Sequence, residues 1–163
     1  MTSIYFVSHT QDHRPLETQT RTRLTQRFSA IPVHKVICGA YPDAQEIARA
    51  IAVCHGAVPL KREGWQVVPE ESVERRYVRC GALTRSLVKE FGGQTIVIVA
   101  SEEMIRCALC RAQGYPLERL DELPPHPQTA VSHLMYTASR FSLAYAADLS
   151  HLRERSLGGE AGA

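Results

Sequence analysis

The sequence predicts an α/β layer fold, and three observations carry that prediction. Short apolar, β-branched runs alternate with stretches patterned for helix, which separates layered α/β proteins from bundles and sandwiches. One of these runs, "TIVIVA" at Thr95–Ala100, is apolar almost throughout, as a strand covered on both faces must be. With 163 residues and 44% hydrophobic content the chain suffices for one domain with a real core. A domain of that size buries roughly two-thirds of the surface of its unfolded chain.

Each element follows from its residues. "SIYFVS" (Ser3–Ser8) reads as the first strand, and "LETQTRTRLTQRFSA" after it as a helix. "VHKVICG" (Val33–Gly39) is the second strand. "PDAQEIARAIAVCHG" is a second helix: Pro42 sits in the first turn, Asp43 and Glu46 lie near the positive end, and Gly56 stops it. A third, long helix spans "PEESVERRYVRCGALTRSLVKEFGG", with an apolar stripe through Val73, Tyr77, Leu83 and Leu87 and a stop at Gly92 and Gly93. After the buried strand, "SEEMIRCALCRAQG" makes a fourth helix ending at Gly114, and "YPLERLDELPPHP" is a proline-broken connection. "TAVSHLMY" and "RFSLAYA" alternate as two strands joined by the turn "TAS", a hairpin at the sheet edge. The domain is expected over residues 1–152, with 153–163, "RERSLGGEAGA", too poor in apolar residues to pack and expected to be disordered.

Charge and cysteine usage narrow the function classes. Nineteen Lys and Arg against 17 Asp and Glu, without long runs of either sign, argue against nucleic acid or an acidic membrane surface as partner. No apolar stretch reaches membrane-spanning length, and the N-terminus enters a strand rather than a secretory leader, so a cytoplasmic protein is expected. The five cysteines, 38, 54, 80, 107 and 110, are scattered through apolar segments as reduced thiols would be. Cys107 and Cys110 form a CxxC with no second Cys/His pair at zinc spacing, so packing explains them better than metal.

Candidate chemistry gathers where strands end. In open α/β sheets ligands bind beyond the carboxyl ends of the parallel strands, among loops and helix N-termini. His9 ends the first strand, and Ser101 and Glu102 follow the buried one, so both sets are candidates for one crevice. His13 and Arg14 lie in the loop after His9, where a solvated position is the ordinary reading. Cys38, ending the second strand, reads as a buried thiol; Trp65, Tyr77 and Tyr145 read as core or half-buried aromatics. His34, His55, His126 and His133 have no metal-ligand spacing, and neither metal nor cofactor is expected.

The order of four segments carries a resemblance. A strand ending in histidine near the N-terminus, then "VICGAYPDAQEIARAIA", then "GGQTIVIVASEEMIR", then a hairpin closing in "AADLSHL" resembles the histidine phosphatase superfamily, in its phosphoglycerate mutase-like and α-ribazole phosphatase-like branch. The likeness runs from about Ile4 to Leu152, with a shortened middle. It implies a three-layer α/β/α sandwich around a mostly parallel sheet. It also implies a histidine that takes up a phosphoryl group, two arginines and a second histidine on the phosphate oxygens, and a carboxylate that protonates the leaving group. His151 falls in a segment outside that catalytic set.

Against the pattern, this chain keeps His9 and departs elsewhere. Ser8 stands where the first arginine belongs and Thr10 where a glycine belongs; Pro42 aligns with the second arginine. Ser101 replaces the second histidine, and Glu102 and Glu103 replace two glycines. The family's acid falls at Glu63 or Val67. One unit charge about 4 Å away is worth roughly 4 kcal/mol at an effective dielectric near 20, so exchanging guanidinium for carboxylate should abolish or reverse a preference for a phosphate dianion.

Arg14, Lys61, Arg62 or Arg106 would have to swing in to restore it. The expected chemistry is therefore acid/base catalysis by His9 with a nearby carboxylate, Glu102 by preference, of isomerase, lyase or hydrolase type. Ser8, Thr10, Arg14, Ser101 and Glu103 would bind a neutral or cationic small molecule. A non-catalytic binding or scaffold protein, with His9 a relic, is the alternative from another class; a residual phosphatase is the third. A homodimer is compatible with each.

Overall fold

The computed structural model describes residues 1–153; residues 154–163, most of the expected tail, lie outside the described part. A six-stranded mixed sheet organises the chain in the order β3-β2-β4-β1-β5-β6. Its strands are β1 (Thr2–His9), β2 (Lys35–Cys38), β3 (Leu60–Lys61), β4 (Thr95–Ser101), β5 (Val131–Thr137) and β6 (Arg140–Asp148). β1 and β2 both pair in parallel with β4, and β2 with β3; β5 runs antiparallel to both β1 and β6. The sheet is thus mostly parallel with an edge hairpin. In that hairpin Ala138 and Ser139 both take positive φ, the geometry of a tight two-residue turn whose twist matches the strands.

The helices are α1 (Thr18–Ser29), α2 (Pro42–Ala52), α3 (Val73–Glu90) and α4 (Glu102–Ala112). Alternation along the strands sorts the core into two layers. Ile4 and Phe6 of β1, with Ile96 and Ile98 of β4, pack against Cys80 and Leu87 of α3 and Met104, Ile105 and Leu109 of α4. Tyr5, Val7, Val97 and Val99 face the other way, onto Leu24 and Phe28 of α1 and Ile47 and Ile51 of α2. Trp65, only 2% exposed, leans on Phe6. This is the three-layer sandwich expected from the sequence.

β3 was not foreseen, because it is two residues long and both are exposed. The thiols of Cys107 and Cys110 are buried in α4, and burial pushes Cys107 up to about 11 and Cys80 up to about 12, which makes them packing groups rather than nucleophiles. Among the described residues no helix is long and apolar enough to cross a membrane.

Candidate active site

β1 and β4 run side by side with His9 opposite Ser101, so the two strand ends open onto a common crevice. A cavity of about 340 Å³ there is lined by His9, Thr10, Gln11, Asp12, Glu102, Glu103 and His126. A smaller one of about 170 Å³ adjoins it through His9, Gln11 and Glu103, and is completed by His13, Tyr41, Val67 and Ser101. Among the described residues neither lining contains an arginine or a lysine.

The carboxylate set against His9 is Asp43, a residue that the sequence suggested only as a helix-dipole acid. It follows Pro42 at the start of α2, but its side chain is turned inward instead of capping its own helix. Oδ2 lies 3.2 Å from His9 Nδ1, with both side chains 4% exposed. The approach is too oblique for a hydrogen bond, so both atoms are buried without an aligned partner. Asp43 Oδ1 is 3.0 Å from Nδ1 of His13, whose ring lies against Tyr41 and nearly parallel to His9 at 6.0 Å. His13 takes a positive φ of 51°, which turns an otherwise exposed loop residue onto the buried carboxylate. Burial pushes the His9 imidazole below its ordinary range, and the Asp43 charge opposes this only in part.

The other expected residues divide into those at the crevice and those away from it. Thr10, Ser101 and Glu103 line it. Ser101 also caps α4, its hydroxyl accepting from the Met104 amide at 3.4 Å. Glu102 lines the larger cavity too, but its carboxylate accepts from the backbone amide of His126 rather than contacting His9.

Ser8 is fully buried and donates to the Pro127 carbonyl. Its hydroxyl is thereby spent on that carbonyl, and Ser8 lines neither cavity. Arg14 lines neither cavity; only its backbone is engaged, by Asp12 and Gln128. Of the two residues considered for the acid position, Val67 lines the smaller cavity, while Glu63 is exposed in a short 3₁₀ turn.

None of the four cations that could restore the balance lines either cavity. Arg62 is held bidentately by Glu90, at 2.6 and 2.7 Å. Arg106 donates to the carbonyls of Leu120 and Leu123, and Lys61 lines neither cavity. In the first turn of α2 it is Asp43, not Pro42, whose side chain reaches His9.

His126 was read as having no metal-type spacing, and its surroundings give it a structural place. It is 2% exposed. Its Nδ1–H donates to the Pro124 carbonyl at 2.9 Å, which leaves Nε2 to accept from the Ser132 hydroxyl at 2.8 Å. His151 is fixed likewise: Nδ1 accepts from Arg27 at 2.9 Å, so Nε2–H donates to Thr129. Arg27 also binds Asp148 and the Tyr145 hydroxyl.

These features define a class: an α/β/α sandwich with a buried histidine at the carboxyl end of a central parallel strand, facing an acid-lined crevice. The family model described as histidine phosphatase superfamily (branch 1) matches residues 60–149, more than half of the chain. The chain belongs to the histidine phosphatase superfamily. The matched segment contains β4, α4 and the hairpin but not His9.

Similar solved structures include Bacillus stearothermophilus YhfR, at 18% identity and TM-score 0.80, covering 94% of this chain and 100% of that one. Entamoeba histolytica phosphoserine phosphatase in complex with 3-phosphoglyceric acid gives 13% identity and TM-score 0.83 with the same coverages, 94% and 100%. The α-ribazole phosphatase of Shigella flexneri gives 15% and 0.74, covering 90% and 96%. At these identities the likeness is one of fold. No curated protein matches the sequence.

Proposed function

We propose that this member of the superfamily has left phosphoryl transfer and uses His9, with Asp43 as its carboxylate partner, for acid/base chemistry on a neutral or cationic small molecule. One observation carries the reading: the imidazole opens onto cavities lined by Asp12, Glu102 and Glu103 and, among the described residues, by no arginine or lysine. A phosphate dianion entering there would meet like charge where phosphoryl-transfer sites supply cations. Asp43 holds the inner edge of the ring, and Nε2 is the nitrogen left for a reactant. A carboxylate at that distance supports the positive charge that develops on the ring when Nε2 takes a proton.

Two aryl esters with the same leaving group, one of acetic acid and one of phosphoric acid, test this in the presence of a chelator. Turnover of the neutral ester is expected, insensitive to vanadate and reduced about 10²- to 10⁴-fold in His9→Ala. Vanadate-sensitive turnover of the phosphate ester, lost in His9→Ala, would overturn the reading in favour of a phosphatase. Neither turnover, with a folded protein, would favour a binding or scaffold role.

A further inference from the structure

We propose that His9, His13 and Asp43 form a binding site for one divalent first-row transition ion, with zinc the occupant that their chemistry suits best. The candidate ligand atoms, one from each residue, all lie within 4.8 Å of one another. The two contacts through the shared carboxylate are 3.0 and 3.2 Å. They run to different oxygens of Asp43, so the carboxylate lies between the two rings with one oxygen towards each. Ligands held about 2.0–2.2 Å from a zinc ion lie roughly 3.3 Å apart at tetrahedral angles, and the set must draw together from 4.8 Å to reach that.

Burial and pairing point the same way. His9 Nδ1 and Asp43 Oδ2 face each other at 4% side-chain exposure without an aligned hydrogen bond, an arrangement that an ion between them would satisfy. His13 is the adaptable member. It is 45% exposed on a loop, so a small swing of its ring closes the remaining gap without disturbing the core. The adjoining cavity of about 170 Å³ leaves room for water on the open side, as three-ligand zinc sites require.

Two imidazoles and a carboxylate suit zinc better than calcium or magnesium, which prefer oxygen. The sequence expectation of no metal is replaced by this proposal, since Asp43 stands 30 positions beyond His13 and only the fold unites them.

The inference deepens the acid/base reading and rests on it for what the site does. With the ion on its Nδ1, His9 would be a ligand rather than the base, and a water on the ion, its pKa lowered, would supply the base from the His13 side of the ring. Binding itself stands apart from that chemistry. The test uses the full chain, free of any affinity tag, stripped with chelator and titrated with Zn²⁺ against a chromophoric competitor.

One ion per chain is expected, with affinity at least tenfold weaker in His13→Ala and in Asp43→Asn, and unchanged in Cys54→Ser, which removes the exposed thiol. Co²⁺ in place of Zn²⁺ should give a visible spectrum without a thiolate charge-transfer band. Absence of stoichiometric binding by the folded protein, binding unaltered in His13→Ala, or a thiolate band would each overturn the site. None of these results depends on turnover. A failed metal site would leave the chelator-treated ester assay standing, and a positive phosphatase assay would leave the titration standing.

Discussion

His126 and His9 line the same cavity and are almost equally buried, at 2% and 3% exposure, yet the fold treats them in opposite ways. His126 has both nitrogens committed, one to a carbonyl and one to a hydroxyl that is itself held by the Ala147 amide at 2.9 Å. His9 faces a buried carboxylate along an unfavourable line and keeps Nδ1 without an aligned partner. A buried polar group without its bond lowers stability by about 1–3 kcal/mol, so a fold keeps one where something else uses it. Between these two residues burial makes no distinction; the satisfaction of the two ring nitrogens does.

Variants on the structural side should therefore unfold the protein far more than variants at the crevice. The largest effect is expected for Arg27→Ala. Arg27 is 14% exposed and binds Asp148, His151 and Tyr145 together, so its loss strands three groups and should lower stability by roughly 2–4 kcal/mol in urea denaturation. Ser132→Ala should follow, at about 1–3 kcal/mol, because it leaves both His126 Nε2 and the Ala147 amide unpaired at a fully buried position.

A pH-dependent effect comes next. His151 is held down to about 4 by burial, with Arg27 adding to it, against an ordinary value near 6.5. The unfolded chain binds the proton first, so this contribution is complete above about pH 6.5 and is lost as pH falls from there towards 4. His151→Gln should flatten that part of the stability profile, measured as urea midpoint against pH; an unchanged slope would show that the network does not hold the imidazole neutral. Smallest is Asp43→Asn. It should change the unfolding free energy by less than about 1 kcal/mol while lowering neutral-ester turnover, since the His9 contact adds little to the fold. A loss as large as that of Arg27→Ala would place Asp43 among the structural residues.

Much of this architecture was legible in the residues. Short apolar runs marked β1 and β4, the latter apolar almost throughout, and Pro42 and Gly56 bounded the second helical region; Gly56 has the positive φ of 61° that a helix stop uses. His9 could be placed at the crevice because strand ends converge there. Its true partner could not. Asp43 stands 34 positions beyond His9, and an acid in a first turn ordinarily serves its own helix dipole, so nothing local marks it as inward-facing.

Ser8, by contrast, is spent on the Pro127 carbonyl, an acceptor 119 positions away that nothing near it in the chain announces. Glu102 sits in the right place along the chain and lines the right cavity, but a backbone amide takes its carboxylate, a competition between local and distant donors that residue order does not record.

The direct test of the central claim, a crevice that no longer accepts a phosphoryl group, is a search for covalent phosphate on His9. Chelator-treated protein is incubated with excess aryl phosphate, denatured at neutral or alkaline pH to preserve phosphohistidine, and weighed intact by mass spectrometry. The account predicts unmodified protein. A phosphoryl adduct in the wild type that disappears in His9→Ala would contradict it.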